Sequence, residues 1–207
     1  MRMKVTAKSE NSSMCFVCGL KNPAGLRASF FELESGDLMA VYKARDEHQS
    51  YPGRVHGGIC ATLIDEVLGR TIVTRSHGRF WSATVELTTR FKKPVSTDAP
   101  VRVVGRIVKE GSRIYEGTAE VILEDGSVAA EGYGRYIKLP WEELTGMDRD
   151  SLEWKVVPAP DDPAEVEIAT PVSSRAAAAG SRVAGVPAGT ESPPEARGPG
   201  IDPEGRS

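Results

Sequence analysis

Val55-His56-Gly57-Gly58-Ile59-Cys60-Ala61-Thr62-Leu63-Ile64-Asp65-Glu66-Val67-Leu68-Gly69 carries the strongest pattern in the chain. Leu63 recurs with Val67, and Ile64 with Leu68 and Ile72, so the spacing predicts a helix that begins at the glycine pair. The first turn of a helix leaves backbone N–H groups without intrahelical partners at the positive end of the macrodipole. Glycine lets a ligand approach that backbone closely. Such a corner suits an anion, or an oxygen that becomes negative during a reaction. Between Gly57 and Val73 only Asp65, Glu66 and Arg70 are charged, so the helix is expected to be wrapped by other structure. A carboxylate in that setting costs several kcal/mol unless it is bonded or paired, which makes Asp65 or Glu66 a candidate functional group.

Outward from the helix the chain alternates strand-like segments and turn formers. Leu26 to Glu34 and Asp37 to Arg45 read as a hairpin joined at Ser35-Gly36. A loop with Pro52 and Gly53 leads into the glycine pair. After it, strands are expected at Phe80–Lys93, Val101–Lys109, Arg113–Leu123 and Ser127–Leu139, the last three as a meander broken at Glu110-Gly111 and Glu124-Asp125-Gly126. Tyr115, Ala119, Val121 and Leu123 fall on one face, and Glu116, Thr118 and Glu120 on the other. A sheet with one apolar face needs a cover, and the single long helix is the element available. The fold class is therefore α+β, a curved antiparallel sheet wrapped around one central helix.

The expected divisions are a loose polar stretch at 1–13, a folded domain at 14–139, a short helical or edge segment at 140–157, and a disordered tail at 158–207. Nine of the fourteen prolines lie from Pro158 onward, together with the run Ala176–Ala179 and no aromatic residue, too little to bury against its ordering entropy. A net charge of -3 shows no basic character, so nucleic acid is not an expected partner. No apolar run reaches the about 20 residues that cross a bilayer, and the start lacks a secretory signal, so no membrane partner and a cytoplasmic location are expected. Cys15 and Cys18 have the spacing of half a zinc site or a redox pair. The other candidates, Cys60, His48, His56 and His77, form no matching pair, so the two read as packing positions with no metal.

These features together resemble the hotdog-fold acyl-CoA thioesterases, in particular the branch of the phenylacetate-pathway (PaaI-like) thioesterase within the 4-hydroxybenzoyl-CoA thioesterase superfamily. The resemblance rests on His56-Gly57-Gly58, on Asp65 nine residues after the histidine, and on Thr84 ten residues before Pro94. Cys15-x-x-Cys18-Gly19 and Asn22-Pro23-x-Gly25-Leu26 look like a subset of that branch, and the likeness covers about residues 15 to 139. It implies hydrolysis of acyl-CoA with no cofactor, coenzyme A being part of the substrate. The N–H of Gly57 or Gly58 would polarise the thioester carbonyl, Asp65 would act as general base or nucleophile, and Thr84 would hold the water or carboxylate. Some relatives carry Asn or Gln six residues before the histidine; here that place is Ser50, with Gln49 beside it.

His56 is a possible general base by type, but shaping the helix entry is the role the resemblance favours. Glu66 joins the substrate-contact candidates, with Arg70 at i+4 as its alternative ion-pair partner. Arg90, Lys92 and Lys93 are candidates for the coenzyme A phosphates. Trp81, Tyr133 and Tyr136 could line an acyl pocket, although aromatics on strands usually belong to a core. Two other readings stay open: a non-catalytic acyl-thioester-binding hotdog protein, and a hotdog hydratase or dehydratase, which commonly uses an Asp-x-x-x-x-His pair not found here.

Gly57 and Asp65 are eight residues apart, about 12 Å of rise on one helix. A reacting carbonyl must lie roughly 3 Å from both its oxyanion donor and its base or nucleophile. Two antiparallel helices across a twofold axis satisfy this, which leads to a homodimer or a dimer of dimers with shared sites.

Overall fold

The computed structural model describes residues 2–146 and 153–168. Among the described residues there are ten strands: β1 (Arg2–Lys8), β2 (Ser29–Leu33), β3 (Leu38–Tyr42), β4 (Gln49–Tyr51), β5 (Arg54–Val55), β6 (Trp81–Phe91), β7 (Val101–Glu110), β8 (Ile114–Ile122), β9 (Val128–Leu139) and β10 (Glu165–Glu167). Helix α1 spans Gly57–Arg75 and a one-turn helix α2 spans Trp141–Thr145. Eight strands make one antiparallel sheet in the order β10-β1-β2-β3-β7-β8-β9-β6, while β4 and β5 form a separate small hairpin. This is the hotdog arrangement of one long helix against an antiparallel sheet.

Helix α1 is held by its apolar content rather than by a narrow stripe. Leu63, Ile64, Val67, Leu68 and Ile72 are all essentially inaccessible, each worth ~1.5–3 kcal/mol of burial. They meet Phe30, Leu38, Val103, Tyr115, Val121 and Tyr136 from the sheet. The close approach depends on glycine in the strands: a Cβ at Gly132 would stand 2.3 Å from Ile64 Cγ2, and one at Gly105 would stand 2.5 Å from Val67 Cγ1. The helix stops after Ser76, where His77 and Gly78 take positive φ (51° and 79°) and the Gly78 N–H donates back to Val73 O at 2.8 Å.

Two expectations are corrected. Residues 2–13 are not a loose stretch: Arg2–Lys8 is a strand paired with β2 and β10, and Asn11 bridges to Lys155. The stretch after Pro158 is not uniformly structureless either, because Glu165–Glu167 forms β10 and both Val166 and Ile168 are buried. The remainder of the expected tail, from residue 169, lies outside the described residues. The physical reason is a second apolar face. Met3, Phe31, Leu33, Met39, Val104 and Ile122 turn away from α1, and Val166 and Ile168 pack on them. Arg102 of β7 donates to the Glu167 carbonyl (2.6 Å), so β10 lies over the outer face of the sheet as well as beside β1. The helix therefore covers one face only.

Candidate active site

The site begins with a row of cross-strand neighbours. Thr84 on β6 pairs with Tyr136 on β9, and Tyr136 pairs with Tyr115 on β8. All three face α1. Tyr115 stacks on Tyr136 (ring centroids 5.2 Å apart) and donates its hydroxyl to the carbonyls of Leu68 (2.9 Å) and Gly69 (3.2 Å). Tyr136 and Thr84 both donate to Asp65 Oδ1, at 3.0 and 2.9 Å. Gly134 makes room for this, since a Cβ there would lie 2.5 Å from the Tyr136 ring. Burial, and next the charge of Asp65, push the Tyr136 phenol well above its ordinary value, so it stays protonated as a donor. Oδ2 of Asp65 has no donor among the described residues, and no cation pairs with this carboxylate. It is a half-buried acceptor with one oxygen fixed and one open.

A bulge on β6 aligns the site. The register shifts between Thr84 and Glu86, leaving Val85 as the extra residue. Alternation is thereby reset, so that Thr84 and Phe91, seven positions apart, share the face toward α1. Phe91 lies at the other end of the helix, with its ring 3.5 Å from the place a Cβ would occupy on Gly57.

At that end His56 is the N-cap of α1, and its Nδ1 accepts the Gly58 N–H at 2.9 Å. Gly58 is thus already used, and of the two glycine donors it is the Gly57 N–H that has no partner among the described residues. The entry is anchored from behind: the His56 N–H donates to the His48 carbonyl (2.9 Å), and the buried His48 ring meets the Tyr42 hydroxyl at 2.8 Å. Burial pushes His48 below its ordinary value. A cleft of about 330 Å³ opens beside the corner, lined by Val55, Gly57, Cys60, Phe91, Lys92 and Lys93.

Glu66 faces elsewhere. Its carboxylate pairs with Arg70 Nε at 3.0 Å, and the guanidinium also reaches the Glu10 carbonyl (3.0 Å) and Cys18 Sγ (3.5 Å) while lying 4.3 Å from the Phe30 ring centre. Cys15 Sγ lies 3.9 Å from Glu66 Oε1. Cys15, Cys18 and Glu66 are the described residues whose grouping could hold a metal ion.

The structure therefore brings Asp65 and Thr84 together, and places Gly57, Lys92 and Lys93 at the opposite end of α1. Lys92 pairs with Glu131, and Arg90 and Lys93 are exposed on β6 and just after it. Gln49 Oε1 accepts the Gly53 N–H (2.9 Å) to close its own loop, and Ser50 beside it is exposed. Tyr133 does not join Tyr136: it lies on the other face and donates to Glu116 (2.9 Å). Trp81 packs edge-on against Trp141 and Trp154. The residue that sequence reasoning missed is Tyr136 as a partner of Asp65. Its signal was weak, since only the strand register puts it opposite Thr84.

Residues 52–130 match the thioesterase superfamily. No curated protein matches the chain. Among solved structures, one described as a thioesterase superfamily protein is 26% identical with a TM-score of 0.54, the likeness covering 59% of each chain, so less than two thirds of that protein. A thioesterase from Haemophilus influenzae is 11% identical (TM-score 0.54; 59% of this chain, 85% of that one). The E. coli PaaI protein of the phenylacetic acid degradation operon is 12% identical (TM-score 0.50; 55% and 80%). These last two share the fold, and PaaI is one neighbour among several, so its branch is not singled out. The chain carries the hotdog fold, and the part of it that matches the thioesterase superfamily runs from the loop before the glycine pair into β9.

Proposed function

We propose that this protein hydrolyses acyl-CoA thioesters to the free acid and coenzyme A. The observation that carries the reading is the Asp65 carboxylate, held at Oδ1 by two hydroxyls and open at Oδ2. Asp65 either takes a proton from water, whose oxygen attacks the carbonyl carbon, or attacks that carbon itself to form an acyl anhydride that water then hydrolyses to the free acid. The carbonyl oxygen gathers charge against the Gly57 N–H and the positive end of α1, and the C–S bond then breaks with the thiolate of coenzyme A leaving. Arg90, Lys92 and Lys93 offer cations to the coenzyme A phosphates.

The two halves of the chemistry come from two chains. β6 ends the sheet, leaving one backbone edge without a strand among the described residues, and Val85 and Phe91 on it are more than half exposed. Such an edge is a template for pairing. If β6 pairs antiparallel with its own copy, centred between Leu87 and Thr88, Thr84 of one chain stands opposite Phe91 of the other. That register carries the Asp65 of one protomer toward the Gly57 of its partner, twice by symmetry. A homodimer is the minimal active unit, and a dimer of dimers would repeat the pair.

A thiol-release assay over short aliphatic, long aliphatic and aromatic acyl-CoAs tests the reaction. Saturable release of free coenzyme A from at least one class is expected. A folded dimer that releases none from any class would overturn the proposal.

A further inference from the structure

Cys15 and Cys18 take no part in the Asp65 chemistry, yet their surroundings are built around sulphur. The Gly19 N–H donates to the Cys15 carbonyl (2.8 Å) and closes one helical turn; a Cβ at residue 19 would lie 2.2 Å from that carbonyl, so the turn requires glycine. Closing the turn aims the N–H groups of Val17 and Cys18 at Cys15 Sγ (3.3 and 3.5 Å), and the Ser12 N–H points at Cys18 Sγ (3.4 Å). Both sulphurs thus accept backbone N–H groups, while the Cys15 thiol points at Glu66 Oε1 (3.9 Å) and the Cys18 thiol at Ser12 Oγ (3.7 Å); loss of those two protons on metal binding would leave the N–H groups to support thiolate ligands.

The missing partner comes from the helix. The cysteine spacing alone offers half a site, but α1 brings Glu66 to it, and one Glu66 oxygen and the two Sγ atoms all lie within 4.8 Å of one another. A tetrahedral centre with metal–sulphur bonds of about 2.3 Å and metal–oxygen bonds of about 2.1 Å spaces its ligands roughly 3.5–3.8 Å apart, so side-chain movements of about 1 Å close it. Charge also matches. Two thiolates and a carboxylate are balanced by a divalent ion together with the Arg70 guanidinium, which already lies 3.5 Å from Cys18 Sγ and is fixed over Phe30. Arg70 would remain as an outer donor to the sulphur, the role such partners play around metal ligands.

We propose that Cys15, Cys18 and Glu66 bind one zinc-class divalent ion, with solvent in the fourth position, fastening the N-terminal loop to α1 directly behind Asp65. Cys15 is partly exposed and gives the ion its entry.

The test uses the full chain, reduced and stripped of metal, titrated with Co²⁺ as the probe and then with Zn²⁺. Thiolate-to-cobalt charge-transfer absorption should saturate at one ion per chain and be bleached by an equivalent of Zn²⁺. Cys15→Ser and Cys18→Ser should each abolish it, and Glu66→Gln should weaken binding beyond the about 10–100-fold typical of outer partners. In the unaltered protein Zn²⁺ should shield both thiols from alkylation, a readout that survives if a serine variant fails to fold. Absence of charge transfer with both thiols free, or a band that persists in folded Cys18→Ser, would overturn the proposal. So would a Cys15–Cys18 disulfide that forms in air with no metal binding after reduction, which would make the two a redox pair. None of these readouts requires thioester turnover, so the site and the proposed reaction can fail separately.

Discussion

Asp65 and Glu66 are consecutive on α1, about 100° apart around its axis, and the fold treats them in opposite ways. Asp65 meets two neutral hydroxyls and no cation, whereas Glu66 meets Arg70 and two sulphurs. Burial pushes the Glu66 carboxyl up, with the Arg70 charge as the largest opposing influence. The contrast separates a carboxylate whose charge is consumed by structure from one whose charge remains available. Neutral donors orient a carboxylate without supplying a counter-charge, while a guanidinium both pairs with it and fixes it. Chemistry is expected at the first and architecture at the second.

The largest effect should fall on that division. Asp65→Asn should lower kcat for thioester hydrolysis by about 10³-fold, within the range for loss of a positioned base or nucleophile, while Glu66→Gln stays within a few-fold of the unaltered rate. Equal losses in the two would erase the distinction. Stability should move the other way. Arg70→Leu leaves Glu66 without its cation and should cost about 3 kcal/mol by denaturant unfolding, with Asp65→Asn close to neutral.

Smaller effects sharpen the Asp65 side. Tyr136→Phe removes one hydrogen bond to a charged acceptor, worth about 1.5–3 kcal/mol, and should reduce kcat roughly 10–100-fold while keeping the ring stack on Tyr115. Thr84→Val, at an exposed position, should cost only a few-fold. Gly132→Ala forces a Cβ against Ile64, the residue before Asp65, and should destabilise by about 1–3 kcal/mol, read as a lowered unfolding midpoint.

The smallest effect concerns the entry to α1. Burial holds His48 below its ordinary value of 6.5, so as pH falls the unfolded chain takes up the proton first. The stability it contributes is complete above about 6.5 and is lost as pH drops through the lower, folded-state value. His48→Gln should flatten that part of the stability profile, measured by unfolding at a series of pH values.

The sequence made some of this legible and hid the rest. The α1 spacing, the turn at Ser35-Gly36 and the meander of β7, β8 and β9 are local patterns, and local patterns survive in one dimension. Strand β1 does alternate polar and apolar residues from Arg2 to Lys8, but only Met3 and Val5 in it are large and apolar, and its partner β10 lies more than 150 residues away. The second apolar face was invisible for the same reason. Asp65 could be picked out by the scarcity of charge on its helix, but Tyr136 and the Val85 bulge depend on register, which no single strand encodes. Gly57 and Gly58 look equivalent in sequence; the His56 cap tells them apart.

The most direct test of the shared site combines two inactive chains. Gly57→Pro removes the open N–H at a position where proline is tolerated, and Asp65→Ala removes the acid. In a purified mixed dimer one site is wholly intact, so thiol release should return to about half the unaltered rate per dimer. Confirmed heterodimers that stay as inactive as either parent would contradict the account.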